Sequence, residues 1–182
     1  MVALIIIVVV LLVIGYVIGT YNSLVALRNK VKDQWAQIEV LLKRRYDLIP
    51  NLVETVKGYT KHEKETLEAV VNARSQAVNA KTTEEEMKAA GEVSNALGRL
   101  FALAESYPDL KANENFMDLQ ANLKDTEDKI SFSRQFYNDS VLTYKNKLEM
   151  FPSNIIAGLF KFEPEVFFEA SEEERKNVQV KF

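Results

Sequence analysis

Cysteine is absent from the 182 residues. That removes any disulfide framework and any thiolate chemistry, and it fits a reducing compartment. Histidine occurs once, as His62 in the string His-Glu-Lys-Glu-Thr, so the second histidine of a zinc-protease helix is missing. No Glu-x-x-His pair is present from which a bundle could build a di-iron site. With six glycines and four prolines against abundant Ala, Leu, Glu and Lys, the composition favours helix over sheet. No glycine-rich phosphate loop and no nucleophile–base pair can be read. The sequence therefore predicts no catalytic residue, no metal and no cofactor. A net charge of −3 leaves no basic footprint for nucleic acid.

What is there begins at once. Residues Leu4 to Ile14 are eleven consecutive Leu, Ile or Val, extended by Val2, Ala3, Val17 and Ile18. At about 1.5 Å per residue, such a helix crosses the ~30 Å hydrocarbon core of a bilayer. Insertion of Leu4–Ile14 is favourable by roughly 3 to 7 kcal/mol, and no charge within the stretch opposes it. A cleaved signal peptide would want a basic leader, a shorter apolar run and an Ala-x-Ala site, none of which is present. Residues 1–20 are thus predicted to be a retained transmembrane anchor. Arg28, Lys30 and Lys32 follow it with only Asp33 in opposition. The positive-inside rule then puts the amino terminus outside and the remaining chain in the cytoplasm, on a single pass through the inner (cytoplasmic) membrane. Tyr16 and Tyr21 suit the interface. Gly15 and Gly19 form a GxxxG pair that would let two spans approach, or are simply glycines of the kind common in membrane helices.

Beyond the anchor, Leu24, Leu27, Val31, Trp35, Ile38, Leu41 and Leu42 mark one face of a helix expected to end near Tyr46, broken by Asp47 and Pro50. A second helix carries Leu52, Val53, Val56, Tyr59, Leu67, Val70, Val71, Ala77 and Val78. Either Thr82 with Glu85 or Thr83 with Glu86 boxes the start of a third, which stops before Tyr107-Pro108. In the fourth, Phe116, Leu123, Ile130, Tyr137 and Tyr144 recur every seven residues, as a coiled-coil seam requires. The fold class is all-α: an N-terminal transmembrane helix, an antiparallel four-helix bundle over residues 21–150, and an amphipathic aromatic tail with a charged end over 151–182.

The strings Leu24-Val25 with Leu27-Arg28-Asn29, Trp35 with Gln37-Ile38, and Lys43-Arg44-Arg45-Tyr46-Asp47-Leu48-Ile49-Pro50-Asn51-Leu52-Val53 carry a family likeness. So do Lys57-Gly58-Tyr59, Tyr107-Pro108-Asp109-Leu110-Lys111-Ala112-Asn113, and Arg134 with Tyr137-Asn138, Tyr144 and Phe151-Pro152. Together they resemble the LemA family of bacterial and archaeal membrane proteins. Tyr46 stands where histidine is expected to be common in that family, which weakens any role for a ring nitrogen there. The resemblance implies an amino-terminal anchor and a cytoplasmic four-helix bundle, without an established enzymatic activity.

Three groups of residues stand out. An up-and-down bundle would bring Arg44–Asn51 and Tyr107–Asn115 to the end far from the bilayer. Arg44, Arg45, Tyr46, Asp47, Asn51, Tyr107, Asp109, Lys111 and Asn113 are then candidates for partner binding, or residues that only set turn geometry. Thr126, Glu127, Arg134 and Asn138 occupy seam positions that ask for apolar side chains. A buried charge costs several kcal/mol unless paired, so Glu127, Arg134 and Asn138 form a candidate buried network, with Asp47 or Glu54 as acids for Arg134. Such a network also serves simply to fix register. Gly15, Gly19, Tyr16, Tyr21, Ile155, Ile156 and Phe160 are candidates for membrane contact, the last three in a tail that either lies in the headgroup layer, meets an adjacent protomer or folds back on the bundle. His62 reads as a packing or surface residue, and Glu84–Glu86 and Glu172–Glu174 as caps and solvated faces.

The functional expectation is a non-enzymatic membrane-anchored scaffold or adaptor that self-assembles at the membrane and affects its shape. The alternative is a sensor or signalling relay that meets a partner at the turns. The expected partners are the lipid bilayer, further copies of the chain in a homo-oligomer, and an unidentified cytoplasmic or membrane protein.

Overall fold

The computed structural model describes residues 1–60 and 63–169, and among them it is all-helical without strands. The elements run α1 Val2–Lys57, α2 Lys64–Asn79, α3 Thr83–Ala104, α4 Pro108–Lys111, α5 Glu114–Glu149 and α6 Ser153–Leu159. His62 and the Glu172–Glu174 run lie outside the described residues.

The first helix departs from the sequence reading. It does not stop near Tyr46 but continues through Pro50 to Lys57. A proline inside a helix has no N–H to give, so the carbonyl four residues earlier, that of Tyr46, loses its helical donor. Arg74 of α2 supplies one, its Nε donating to the Tyr46 carbonyl at 2.8 Å. With that acceptor satisfied, the proline no longer forces an end. The chain leaves the helix at Gly58–Thr60, where the Thr60 N–H and hydroxyl both return to the Val56 carbonyl. The expected second helix is accordingly divided. Leu52, Val53 and Val56 are buried on α1, Leu67, Val70 and Ala77 are buried on α2, and Val71 and Val78 face solvent.

Other boundaries fall where local chemistry puts them. Thr82 caps α3, its hydroxyl accepting from the Glu85 N–H at 3.2 Å, while the Glu85 carboxylate accepts from the Lys81 N–H at 2.8 Å. Asn113 opens α5 by accepting from the Phe116 N–H at 2.9 Å. The heptad residues Phe116, Leu123, Ile130, Tyr137 and Tyr144 are all buried.

The chain divides into two units, one of residues 1–37 with 133–167, the other of 38–132 with Phe168 and Glu169. In the second, Ile38, Leu42 and Ile49 of α1, Leu67 and Val70 of α2, Val93, Leu97 and Leu100 of α3 and Leu123 of α5 are buried. In the first, Leu24, Val31 and Trp35 of α1, Val141 and Tyr144 of α5 and Ile156 of α6 are buried. There the rings of Trp35 and Tyr137 meet edge to face, 5.5 Å between centroids. The Tyr137 hydroxyl donates to the Val166 carbonyl at 2.8 Å, tying the segment after α6 to α5. Residues 2–16 of α1 are exposed throughout. By length and composition this helix can cross a membrane.

Candidate functional site

Arg45 is the bulkiest of the fully buried side chains, 1% exposed. On α1 it falls in the apolar row Ile38, Leu42, Ile49, Leu52, which carries it inward. Its Nη1 donates to Glu127 Oε2 of α5 at 2.8 Å and to Ser94 Oγ of α3 at 2.9 Å. Its Nη2 donates to the Ala90 carbonyl of α3 at 3.0 Å. The Ser94 hydroxyl in turn donates to the second carboxylate oxygen of Glu127, Oε1, at 2.7 Å. A guanidinium taken out of water is tolerable only with such company. Three helices are thereby joined through one cation. Arg45 Nε and the Tyr46 hydroxyl are buried without a hydrogen-bond partner. Burial pushes the Tyr46 phenol above its ordinary pKa, against the opposing pull of the Arg45 charge 5.4 Å from its ring.

These contacts rearrange two of the three expected groups. Arg45 and Tyr46 are internal, so they offer no docking surface. Glu127 is half-exposed, and the cation it meets is Arg45. The acids expected to meet Arg134 bind lysines of their own helix: Asp47 accepts from Lys43 at 2.7 Å and Glu54 from Lys57 at 2.7 Å. Arg134 and Asn138 are half-buried on α5 in the other unit. Placing the end of a helix at Tyr46 hid the signal, because the three-four spacing continues through Arg45 to Ile49, Leu52 and Val56.

Of the remaining candidates in this unit, Arg44 is exposed and 3.9 Å from Asp125. The Asp125 carboxyl is held below its usual range by the hydrogen bond from Lys129, with a smaller contribution from Arg44. Asn51 is exposed within α1, and its carbonyl accepts the Thr55 hydroxyl at 2.8 Å. The Tyr107–Asn113 string bonds to Tyr59 and Glu63, which lie between α1 and α2. The Tyr107 hydroxyl donates to Glu63 at 3.0 Å, a bond that raises the Tyr107 pKa, and Asn113 Nδ2 donates to the Tyr59 hydroxyl at 2.9 Å. Lys111 pairs with Glu105, and Asp109 is exposed.

In the other unit, Tyr16 is exposed, and a Cβ added at Gly15 or Gly19 would meet nothing within 4 Å, so that face of α1 is open. Tyr21 packs edge-on against Phe160 and Phe162 at 4.8 and 5.6 Å. Ile155 and Phe160 are exposed, whereas Ile156 is buried and has no surface to give to lipid. Among the described residues no group of three or more His, Asp or Glu stands close enough to hold a metal ion.

The model of the LemA family matches residues 34–182, a span that contains the buried arginine, its acid and the strings Lys43–Val53 and Tyr107–Asn113. The chain belongs to the LemA family. Protein LemA of Metamycoplasma hominis is 28% identical over 164 residues, covering 88% of this LemA-family chain and 74% of that protein. Magnetosome protein MamQ 2 of Paramagnetospirillum magneticum is 25% identical over 175 residues, covering 82% and 64% respectively. Magnetosome protein MamQ of Magnetospirillum gryphiswaldense is 25% identical over 174 residues, covering 81% and 64%. The chain thus spans somewhat less than two thirds of the MamQ proteins it matches.

Proposed function

We propose that this LemA-family protein is a non-enzymatic scaffold or adaptor held at the cytoplasmic membrane by residues 1–20. Residues 21–150 form an antiparallel four-helix bundle in the cytoplasm, and the amino terminus lies outside. One observation carries this reading. The exposed apolar stretch and the buried residues Leu24, Ile38, Arg45 and Leu52 lie on a single uninterrupted helix, α1. The apolar stretch thus runs into the core row of α1 with no linker between them. Orientation follows from Arg28, Lys30 and Lys32 beside the span. The open face at Gly15 and Gly19 supports lateral association of spans into a homo-oligomer at the membrane.

The test is the mass of the purified full-length protein in native-lipid discs. Large homo-oligomers that persist on dilution are expected, and a monomer at all concentrations overturns self-assembly. Protease added outside intact cells should leave the carboxyl-terminal side untouched, and its digestion overturns the orientation. The relay reading draws support from Asp109 and Lys111, exposed on a connection fixed by the Tyr107–Glu63 and Asn113–Tyr59 bonds. It expects discrete hetero-complexes that crosslink from those two positions.

A further inference from the structure

The short helix α6 has two unlike faces. Ser153, Ile156 and Ala157 are buried. Phe151, Ile155 and Leu159, spaced four apart, are 80%, 59% and 70% exposed. Ile155 and Leu159 lie on one side of α6, and Phe151 stands in the turn just before the helix. Three large apolar groups facing water are unfavourable unless something covers them.

Contacts at the end of α6 indicate what does. Phe162 N–H donates to the Ala157 carbonyl and Lys161 N–H to the Gly158 carbonyl, the pair of bonds that closes a Schellman turn, with Lys161 in the left-handed region at φ 54°. The turn sends Phe160 and Phe162 onto Tyr21 of α1, and the Arg28 guanidinium lies over the Phe162 ring at 5.2 Å. Tyr21 comes three residues after Ile18, where the apolar stretch of α1 ends and an aromatic ring suits the headgroup boundary. The exposed stripe therefore starts from a point fixed beside that boundary. Charge agrees. Residues 1–37 with 133–167 hold seven Lys and Arg against five Asp and Glu, whereas residues 38–132 hold thirteen against seventeen. Lys161, exposed at the end of α6, is placed to meet anionic headgroups.

We propose that Phe151, Ile155 and Leu159 form an interfacial foot that lies in the headgroup layer of the bilayer crossed by α1. The protein then meets lipid twice, through a span and through a second, shallow contact clasped to it by Tyr21, Phe160 and Phe162. A shallow contact beside a span stops the span from turning freely about its own axis, and so fixes which side of the protein faces along the membrane. This rests on the reading of residues 1–20 as a membrane span.

Because the chain has no cysteine, single nitroxide labels can be placed without background. Val9→Cys, Ile155→Cys, Leu159→Cys and Val71→Cys, all at exposed positions, would be made in the full-length protein, in discs of neutral and anionic phospholipid. Collision rates with oxygen, which favours lipid, and with a water-soluble nickel chelate report depth. The foot predicts that labels at 155 and 159 collide with nickel at least about threefold less than the label at 71 while keeping oxygen access, at a shallower depth than the label at 9. Equal nickel access at 155, 159 and 71 overturns it. So does protection from both reagents that vanishes when each disc holds one copy, since that means a second copy covers the stripe. A label at 9 that reads as water removes the span itself, and that result is distinguishable from failure of the foot alone.

Discussion

The unit of residues 38–132 takes a whole guanidinium inside and surrounds it with a carboxylate, a hydroxyl and a carbonyl. In the unit of residues 1–37 and 133–167 two cations lie over rings while only half-buried: Arg28 over Phe162 and Lys145 over Phe167, 5.2 and 5.8 Å from the centroids. Directional bonds to a buried charge admit one arrangement and punish the loss of any partner. Cation–ring contacts are broader in geometry and weaker, about 0.5–2 kcal/mol each. The first solution holds α1, α3 and α5 to one axial alignment. The second belongs to the unit that carries the exposed apolar stretch of α1.

The sharpest way to break this contrast is at Glu127. Glu127→Ala leaves Arg45 buried with only neutral partners, and should cost about 2–3 kcal/mol, below the range for a fully buried pair because Glu127 is itself half-exposed. The double variant Arg45→Met with Glu127→Met removes both charges and should return to within about 1 kcal/mol of the parent. Denaturant unfolding in detergent measures both. A double variant no better than the single one would mean that the cation is held by the two neutral acceptors alone.

Next in size is the Arg74 bond. Arg74→Ala should cost about 1–2 kcal/mol, because it leaves the Tyr46 carbonyl without a donor. In a Pro50→Ala background residue 50 regains its N–H, and the same substitution should then cost about 1 kcal/mol less. Additive effects would show that Arg74 acts elsewhere.

In the aromatic unit the losses should be smaller. Tyr137→Phe gives up the bond to the Val166 carbonyl, for about 1 kcal/mol. Burial, helped by the negative charge of Glu165, pushes the Tyr137 pKa up to about 12. The folded state therefore holds a proton that the unfolded chain releases at a lower pH, near the ordinary tyrosine value. The stability tied to it is intact below about pH 10 and is lost as pH rises toward 12. Melting temperatures across that window should fall less steeply for Tyr137→Phe than for the parent, and parallel curves would place the titration on another phenol. Smallest is Lys161→Gly, which relieves a left-handed backbone and should stabilise by about 0.5–1 kcal/mol. A loss instead would mean that the lysine side chain contributes more than its backbone costs.

Much of the fold could be read from side-chain periodicity. The seven-residue row from Phe116 to Tyr144 is buried as its spacing required, Thr82 caps α3, and residues 2–16 are exposed. The error at Pro50 has a definite cause. Proline breaks a helix by leaving a carbonyl unserved, and whether a distant arginine serves it cannot be judged from neighbours in sequence. The same error turned Arg45 from a core residue into a surface candidate. Site residues proved harder than fold because partner choice for a charge is set across 45 to 82 positions of chain, where no local pattern reaches. The tail was legible only in part. Its amphipathic character was plain from composition, but which of Ile155 and Ile156 faces outward depends on where Phe160 and Phe162 seat.

The Tyr46 carbonyl is a landmark on α1. On a rod of 56 residues, rungs repeat every ~5.4 Å and look much alike to a helix sliding alongside. Pro50 leaves a single interior rung with a vacant acceptor, and Arg74 can dock there and nowhere one turn above or below. A residue usually regarded as an interruption thus acts as a notch that tells the second helix at which height to stop.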